Sequence, residues 1–418
     1  MLKKVGVAQL RPGMYVHDLG MSWWKHGFLR PRFMLDDVES IAAVRAVGVT
    51  EVVIDLARGK DVAVVDSGVD VRRAAAAQDP AVSAPPPPEK IVVTPGRKER
   101  TPAASAAPTV PMEVEMRAAK RLLKEARAAI GQAMNDARSG SISNVTQVRD
   151  IADGMVESLD RNAGALLSLA GLKSQDDYTF MHCVAVGTFM IALGRTLGLP
   201  PDLLREAGTA GLLHDVGKSL VPLEILNKPG RLTPEEFTEV RKHPSLGHRM
   251  LLDAGCDEAA ALDVVLHHHE RIDGRGYPDA LSGDAVTQLA RMGSVVDVYD
   301  AVSSDRVYHS KMHPTAALKM LMANGGSQFD EAVARAFVRT IGIYPNGSLV
   351  RLRSGRLAVV IEQHPTDART PRVRAFFSTR SNMHVAPEVI NLARGADEIV
   401  GPEDEKRWNV DPAKYLPE

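Results

Sequence analysis

The chain has 418 residues, of which 44% are hydrophobic and 25% are charged, and its formal net charge is -1. This length predicts two or three domains, and the composition is ordinary for a globular protein. The balanced charge excludes a broad electrostatic attraction to nucleic acid or to a membrane surface. The 2 cysteines, Cys183 and Cys256, have no CxxC spacing and are typical of a reducing compartment.

The N-terminal stretch MLKKVGVAQLRPGMYV contains no apolar segment long enough for a signal peptide, and no run approaches the length of a membrane span. We therefore expect a cytoplasmic protein without membrane contact. Residues 1–70 predict a small α+β domain, with short strands around a turn at Arg11–Gly13. A helix over 36–47 and a strand over 50–56 follow, with Trp23, Trp24 and Phe28 as expected core residues.

Residues 71–111 are rich in alanine and proline and have no hydrophobic periodicity. Such a composition buries too little apolar surface to offset chain ordering, so we predict a disordered or semi-stiff linker. Strong helix formers return from Glu113 to Ala137. Residues 112–144 therefore predict a connecting amphipathic helix, and its apolar face leaves open a homodimer in which two copies pair.

Residues 145–345 predict an all-α helical bundle. Thr233-Pro234-Glu235-Glu236 has the pattern of a helix start, with a capping threonine and a glutamate three residues later. Gly255 predicts a helix end. Residues 346–418 alternate instead and predict a small β-rich extension, with a hairpin turn at Ser354–Gly355 and a charged outer face formed by clustered arginines.

The bundle carries histidines and aspartates near the ends of its apolar segments. They occur in DDYTFMHC, LLHDVGK, RKHPSLGH, HHHERIDGRGYP and DVYDAVSSDRVY. A single histidine on a helix is more often an ordinary core or surface residue than a ligand. As a set, however, these side chains are placed to converge inside the bundle, which is how bundle cores build dinuclear metal sites.

Imidazole and carboxylate ligands without cysteine suit iron, manganese, cobalt, nickel or zinc. Two such ions stabilise both the attacking and the leaving oxygens of a displacement at phosphorus. Lys218 lies three residues after Asp215, on the same face of the chain, and could offer a cation to a phosphate. The pattern favours metal-assisted phosphoester hydrolysis.

The motifs HDVGK, HHERIDGRGYP and DVYDAVSSDRVY, in this order, resemble those of the HD-GYP family, a branch of the HD-domain metal phosphohydrolases. The stretch LRPGMYV resembles a small N-terminal domain often found ahead of HD-GYP domains. The resemblance implies hydrolysis of the bacterial second messenger cyclic di-GMP to linear pGpG and further to GMP. It also implies two divalent metals, most often iron or manganese. For the N-terminal domain, a signalling partner such as a diguanylate cyclase or a part in dimer geometry is the expectation.

Mapped on this chain, the family pattern implies seven metal ligands, with Asp215 shared between both ions. The first ion would take His182, His214, Asp215 and Asp297, and the second would take Asp215, His243, His268 and His269. Lys218 would bind the scissile phosphate. The implied substrate contacts are Gly276, Tyr277, Pro278, Asp300 and Arg306. Tyr178 stands where trinuclear members carry a glutamate, which favours two metals over three.

The resemblance leaves other residues of the motif HHHERIDGRGYP outside the ligand set. We expect His267 to support the site or to face solvent, Glu270 to orient a histidine or the loop, and Asp273 to stabilise the turn. Three alternatives stay open: hydrolysis of another cyclic dinucleotide such as the mixed GMP–AMP form, a cyclic di-GMP receptor with little turnover, and a structural bundle with solvated histidines.

Overall fold

The structure is a computed structural model. It describes residues 2–18, 33–35, 41, 44–45, 51–56, 58–60, 109–171, 178–228, 230–304, 311–364 and 366–417. The chain divides into two compact units, Met1–Arg100 and Thr101–Glu418. The first has a four-stranded sheet, whereas the second joins a helical bundle to a five-stranded sheet, so the predicted multidomain fold class is confirmed.

The first unit is an antiparallel sheet in the order β1-β4-β2-β3. Its strands are β1 Leu2–Gly6, β2 Tyr15–Asp18, β3 Phe33–Met34 and β4 Glu51–Asp55. The turn predicted between β1 and β2 contains Gly13, whose φ of 91° is a left-handed conformation that glycine adopts without strain. Met14, Val16 and Ile54 are fully or almost fully buried and form the centre of this small core.

Several predictions for this unit and for the linker lie outside the described residues. They concern Trp23, Trp24 and Phe28, most of the helix over 36–47, and the linker up to residue 108.

The second unit contains eleven α-helices before its sheet, counted over the described residues. They are α1 Met112–Arg138, α2 Val145–Ala170, α3 Tyr178–Thr196, α4 Pro201–Leu213, α5 Leu223–Leu226, α6 Pro234–Val240, α7 His243–Asp253, α8 Ala259–His267, α9 Gln288–Ser303, α10 Pro314–Ala323 and α11 Glu331–Ile341. A short 3-10 helix, Val216–Leu220, follows α4.

Helix α1 is the predicted amphipathic helix, and it belongs to the bundle core. Its buried stripe includes Met116, Leu123 and Ile130, which share one apolar cluster with residues of α2. Glu115 is buried beneath α2, where it accepts hydrogen bonds from Ser158 at 2.7 Å and from Arg161 at 2.7 Å. The apolar stripe thus packs within the chain, and the homodimer stays a prediction.

Helix α3 corrects one expectation from the sequence. Its segment Thr179–Thr196 is long and apolar enough to cross a membrane by length and composition, although no such run was expected. Most of the segment is buried, and side chains such as Val184 and Met190 are fully enclosed. It is therefore the central helix of the bundle, which explains its lack of a polar face.

The predicted start of α6 is confirmed in detail. The Thr233 hydroxyl accepts from the Glu236 N–H at 3.2 Å, and the Thr233 N–H donates to the Glu236 carboxylate at 2.7 Å. Helix α7 ends at Asp253, and Gly255 follows its C-cap with a φ of 76°, as the predicted helix end requires. Such reciprocal bonds satisfy two N–H groups that the first helical turn cannot pair.

We expect Thr233→Ala to lower the free energy of unfolding by about 1 kcal/mol, because one helix N–H loses its partner. Chemical denaturation of the variant and the wild-type protein measures this difference. Thr238→Ala in the same helix is a suitable control, since its exposed hydroxyl only bonds back to the Pro234 carbonyl. An equal loss in both variants would contradict the cap assignment.

The C-terminal sheet is antiparallel in the order β8-β7-β6-β5-β9. Its strands are β5 Leu349–Leu352, β6 Arg356–Glu362, β7 Arg372–Ser378, β8 Met383–Asn391 and β9 Ile399–Pro402. The predicted hairpin turn lies at Gly355, between β5 and β6. A short helix, α12 Glu405–Trp408, follows.

The clustered arginines of this sheet are paired locally, as a charged outer face requires. Arg351 contacts Glu403, Arg356 contacts Glu388, and Arg372 contacts Glu362. Arg353 forms an ion pair with Glu398, and Arg374 donates to the Leu416 carbonyl at 3.2 Å. This pairing supports the structural interpretation over a binding patch. Both cysteines are buried.

Candidate metal centre

Three helices and two short connections bring the predicted ligands to one buried point. His182 lies inside α3 and Asp297 inside α9, whereas His214 and Asp215 follow the end of α4. The first residue of α7 is a histidine, and two more histidines follow the end of α8; they are His243, His268 and His269. Helix ends suit such a site because the chain there can turn a side chain inward without breaking the helical hydrogen bonds.

Asp215 is the centre of this arrangement, and its two oxygens face different groups. Oδ2 lies 3.2 Å from His214 Nε2 and 3.5 Å from His182 Nε2. Oδ1 lies 3.3 Å from His243 Nε2 and 4.0 Å from His268 Nε2. A carboxylate placed in this way can bridge two cations.

The remaining two predicted ligands, Asp297 and His269, lie beside the residues already described. Asp297 Oδ1 lies 3.1 Å from His182 Nε2, and Asp297 Oδ2 lies 3.9 Å from His269 Nδ1. Ligand atoms of His243, His268 and His269 lie within 4.8 Å of one another, and the same holds for His182, His214 and Asp215. The structure thus brings all seven predicted side chains together, in the two groups expected.

The outward nitrogens of the histidines determine which tautomer each ring takes. His214 Nδ1 lies 2.8 Å from the Gly211 carbonyl, and His243 Nδ1 lies 2.8 Å from the Val240 carbonyl. His268 Nδ1 likewise faces the Val265 carbonyl at 3.0 Å. A carbonyl oxygen only accepts, so each Nδ1 carries the proton and each Nε2 points inward with a free lone pair.

These lone pairs do not satisfy one another. His243 Nε2 and His268 Nε2 are only 3.3 Å apart, and both rings are buried. His214 Nε2 and Asp215 Oδ1 are also buried and have no hydrogen-bond donor among the described residues. Buried acceptors without donors are costly in a folded protein. A cation between them removes this cost, so the donor set fits divalent metal ions.

The electrostatics of the cluster favour metal binding on the same grounds. Burial would raise the pKa of Asp215, but His214 and Lys218 hold this pKa well below its usual value. Burial, followed by neighbouring imidazoles, holds the pKa of His268 far below normal. Burial and then the neighbouring His243 imidazole lower the pKa of His269 to about 3. Burial would lower the pKa of His214 as well, but Asp215 raises it. The anionic Asp215 and the neutral His268 and His269 are in the states that ligate metals without proton loss.

Asp300 lies on the outer side of a predicted ligand, His182. Its Oδ2 lies 2.6 Å from His182 Nδ1, and the carboxylate is buried. The predicted contact of Asp300 with the substrate stays a prediction, and Arg306 lies outside the described residues. A carboxylate on the outer nitrogen of a ligating histidine fixes the ring and raises its basicity. Asp300 therefore has the position of an orienting residue.

The loop after the three histidines is packed against the acid that precedes it. Glu270 is buried, and one of its oxygens accepts from the Asp279 N–H at 2.7 Å. A Cβ on Gly276 would lie 2.4 Å from the Glu270 Cα, so only glycine fits this contact. Asp273 accepts from Arg271 and from the Arg275 N–H, as a turn-stabilising residue would. Glu270 thus orients the loop, which agrees with the sequence-based expectation.

His267 faces away from the metal-ligand cluster. Its Nδ1 lies 2.7 Å from Asp263 and its Nε2 lies 3.0 Å from Asp279, so it ties α8 to the loop. Burial would lower the pKa of His267, but the hydrogen bonds with these two carboxylates raise it. The expected supporting role of His267 agrees with this geometry.

Tyr277 connects the loop to the cluster. Its ring stacks on His269 with centroids 4.7 Å apart, and the Arg241 guanidinium lies over the same ring at 4.5 Å. Pro278 follows on the outer side of the loop, beside a groove. Of the predicted substrate contacts, the structure thus places Tyr277 against the cluster and Pro278 beside the groove, whereas Gly276 packs against Glu270.

Sequence reasoning did not single out two glycines that hold the cluster together. A Cβ on Gly217 would lie 2.0 Å from the His243 carbonyl oxygen and 2.5 Å from the Gly247 N. The segment that carries Asp215 therefore rests directly on α7, with glycine on both sides of the contact. The motifs HDVGK and HPSLGH contain these two glycines. Their role in packing can be recognised only when the two segments are known to be in contact.

A family model described as an HD domain matches residues 149–333, and a second, described as a domain of unknown function (DUF3391), matches residues 2–148. A Pseudomonas aeruginosa protein named as a cyclic di-GMP phosphodiesterase is 46% identical over 412 residues, which are 98% of this chain and 94% of that protein. The chain belongs to the HD-GYP family. The resemblance seen in the sequence motifs is thereby confirmed, including the additional N-terminal region.

Other relatives match less than half of this chain. A Vibrio cholerae protein named as a cyclic di-GMP phosphodiesterase is 35% identical over 189 residues, or 42% of this chain and 38% of that protein. A Vibrio cholerae protein named as a 3'3'-cGAMP-specific phosphodiesterase is 33% identical over 157 residues, or 38% of this chain and 36% of that protein. A solved HD-GYP-type structure from Bdellovibrio bacteriovorus aligns with a TM-score of 0.46 at 16% identity, covering 81% of this chain and 98% of that one.

Proposed function

We propose that this protein is a metal-dependent phosphodiesterase that hydrolyses cyclic di-GMP to linear pGpG, with GMP as a further product. The observation that carries the proposal is the bridging position of Asp215, with one oxygen toward each histidine group. The full-length similarity to a relative named for this activity supports the choice of substrate.

In this proposal two divalent cations occupy the cluster, and iron or manganese is the preferred pair. One would be held by His182, His214, Asp215 and Asp297, and the other by Asp215, His243, His268 and His269. When bound, the cations supply Lewis-acid stabilisation of charge at phosphorus and lower the pKa of water. Asp300 acts on the first group by fixing the ring of His182.

Among the described residues, Lys218 is well placed to contact the reacting phosphate. Its Nζ lies 2.6 Å from Asp215 Oδ2, and its side chain is about one third exposed at 31%. The ammonium group therefore lies at the border between the buried cluster and solvent. There it would donate to a phosphoryl oxygen and stabilise the negative charge that grows in the transition state.

The remaining chain groups would orient the substrate. The Gly276–Pro278 loop borders the cluster through the stacking of Tyr277 on His269. We propose that this loop contacts the dinucleotide, and that Arg306, outside the described residues, adds a further cation. Gly276 contributes by letting the loop lie against Glu270.

A second candidate substrate is the mixed GMP–AMP cyclic dinucleotide, because one relative is named for that specificity. The test is metal quantification of the anaerobically purified protein, followed by product analysis with both cyclic dinucleotides. We expect close to two metal ions per chain and faster turnover of cyclic di-GMP. Tight binding without product would instead identify a receptor, and absence of transition metal would identify a structural bundle.

We expect Lys218→Met to lower kcat for cyclic di-GMP by roughly a hundredfold, because one donor to the developing charge is lost. Metal content should stay at the wild-type level, since Lys218 is not among the proposed ligands. Steady-state kinetics and elemental analysis of the same sample measure both quantities. Lys319→Met, at an exposed position of α10, is the matched control. Unchanged kcat in Lys218→Met would contradict the proposed role.

A further inference from the structure

A groove beside the Tyr277 loop is not used by the mechanism above. Its volume is about 420 Å³, which is within the usual range for a small-molecule site. The lining residues come from α6, α7 and the loop; they are Thr238, Arg241, Lys242, Ser245, Leu246, Arg249, Tyr277 and Pro278. This set contains three cations and no carboxylate.

The charge of this groove is largely uncompensated. Lys242 pairs with Glu239 at 2.5 Å. In the part of the chain that the structure describes, neither Arg241 nor Arg249 has a carboxylate within ion-pair distance, and both are exposed. Among the described residues, Arg241 contacts the rings of Tyr277 and Phe237. Two exposed guanidinium groups beside hydroxyl groups form a binding surface for an anion, and guanidinium matches phosphate with paired hydrogen bonds.

The groove begins where the metal-ligand cluster ends. Tyr277 lines the groove, and the same ring stacks on His269 at 4.7 Å. Arg241 and Lys242 immediately precede His243, so the groove and the cluster share both the loop and the start of α7. A ligand that reaches both sites needs two anionic groups linked by a short scaffold.

A cyclic dinucleotide has this chemistry, because its two phosphodiesters lie on opposite sides of one ring. We propose that Arg249 and Arg241 bind the phosphate that is not being hydrolysed, while the other phosphate lies at the metal centre. This inference rests on the proposed function and adds specificity-determining residues to it. The groove would favour dinucleotides over single phosphodiesters, since a compound with one phosphate leaves the arginines unused.

The test compares Arg249→Gln, the double change Arg241→Gln with Arg249→Gln, and Arg249→Lys. Each is assayed with cyclic di-GMP and with bis(4-nitrophenyl) phosphate, which carries one phosphodiester. We expect KM for cyclic di-GMP to rise roughly tenfold in Arg249→Gln and further in the double variant, with kcat within about twofold. Arg249→Lys should lie between the wild type and Arg249→Gln. Hydrolysis of the single phosphodiester should not change.

Arg339→Gln, at an exposed position of α11, is the control for the loss of a surface charge. A KM within twofold of wild type in both glutamine variants would overturn the inference. So would an equal loss with bis(4-nitrophenyl) phosphate, because the arginines would then act through the metal centre. If the wild type hydrolyses the single phosphodiester but not cyclic di-GMP, the proposed function fails instead.

Discussion

Asp215→Asn should lose both bound metals and at least roughly a thousandfold in kcat/KM for cyclic di-GMP. The asparagine keeps the size of the side chain, but it removes the negative charge and one of two anionic oxygens. Since Oδ1 and Oδ2 face different histidine groups, one substitution weakens both halves of the cluster. A loss of about 4 kcal/mol of transition-state stabilisation corresponds to such a rate change.

Elemental analysis and the rate of pGpG formation, measured on the same preparation, test this expectation. Asp253→Asn is the matched control, because Asp253 is an exposed carboxylate at the end of α7. The control should retain metal and activity. Normal turnover by Asp215→Asn would refute the bridging role and, with it, the proposed function.

Gly217→Ala is the second change for which we expect a large effect. The new methyl carbon would lie 2.0 Å from the His243 carbonyl oxygen and 2.5 Å from the Gly247 N. Both neighbours are backbone atoms of α7, so neither can rotate away, and the helix has to shift. Relieving such an overlap in a packed core costs on the order of 1–3 kcal/mol or more. The shift would also move the nitrogen of His243 away from Asp215.

We therefore expect a lower midpoint of thermal unfolding and weaker binding of the metal held by the His243 group. Differential scanning calorimetry and metal titration of the metal-free protein measure the two effects. Gly401→Ala is the control, because a Cβ at Gly401 meets no atom within 4 Å. Equal stability of the two variants would mean that α7 does not press on Gly217 as described.

The metal-ligand cluster was predictable from sequence because its members occur in short motifs. Adjacent residues such as His214 and Asp215, or His268 and His269, need only one correctly placed helix end to reach the site. The order of the motifs resembles that of the HD-GYP family, and this resemblance indicated which segments come together at the site. Helix α1 was also predictable from its composition, although its burial against α2 was not, because an amphipathic stripe does not specify its partner.

Features that depend on contacts between distant segments could not be read in the same way. Gly217 and Gly247 look like ordinary loop and helix glycines until the two segments touch. Asp300 could be recognised as a polar residue near the site, but its hydrogen bond to His182 spans more than a hundred residues of sequence. The groove lined by Arg241 and Arg249 is formed by α6, α7 and the Tyr277 loop, so no local sequence pattern predicts it.

The close approach of His243 Nε2 and His268 Nε2, at 3.3 Å, links the folding stability of the protein to its metal supply. Two electron-rich nitrogens repel each other, so helices α7 and α8 are held together at this point against a local force when no cation lies between them. Occupancy at a hundred times the dissociation constant would add about 2.7 kcal/mol to folding. Scarcity of the ion would then lower not only the activity of each molecule but also the number of molecules that escape proteolysis.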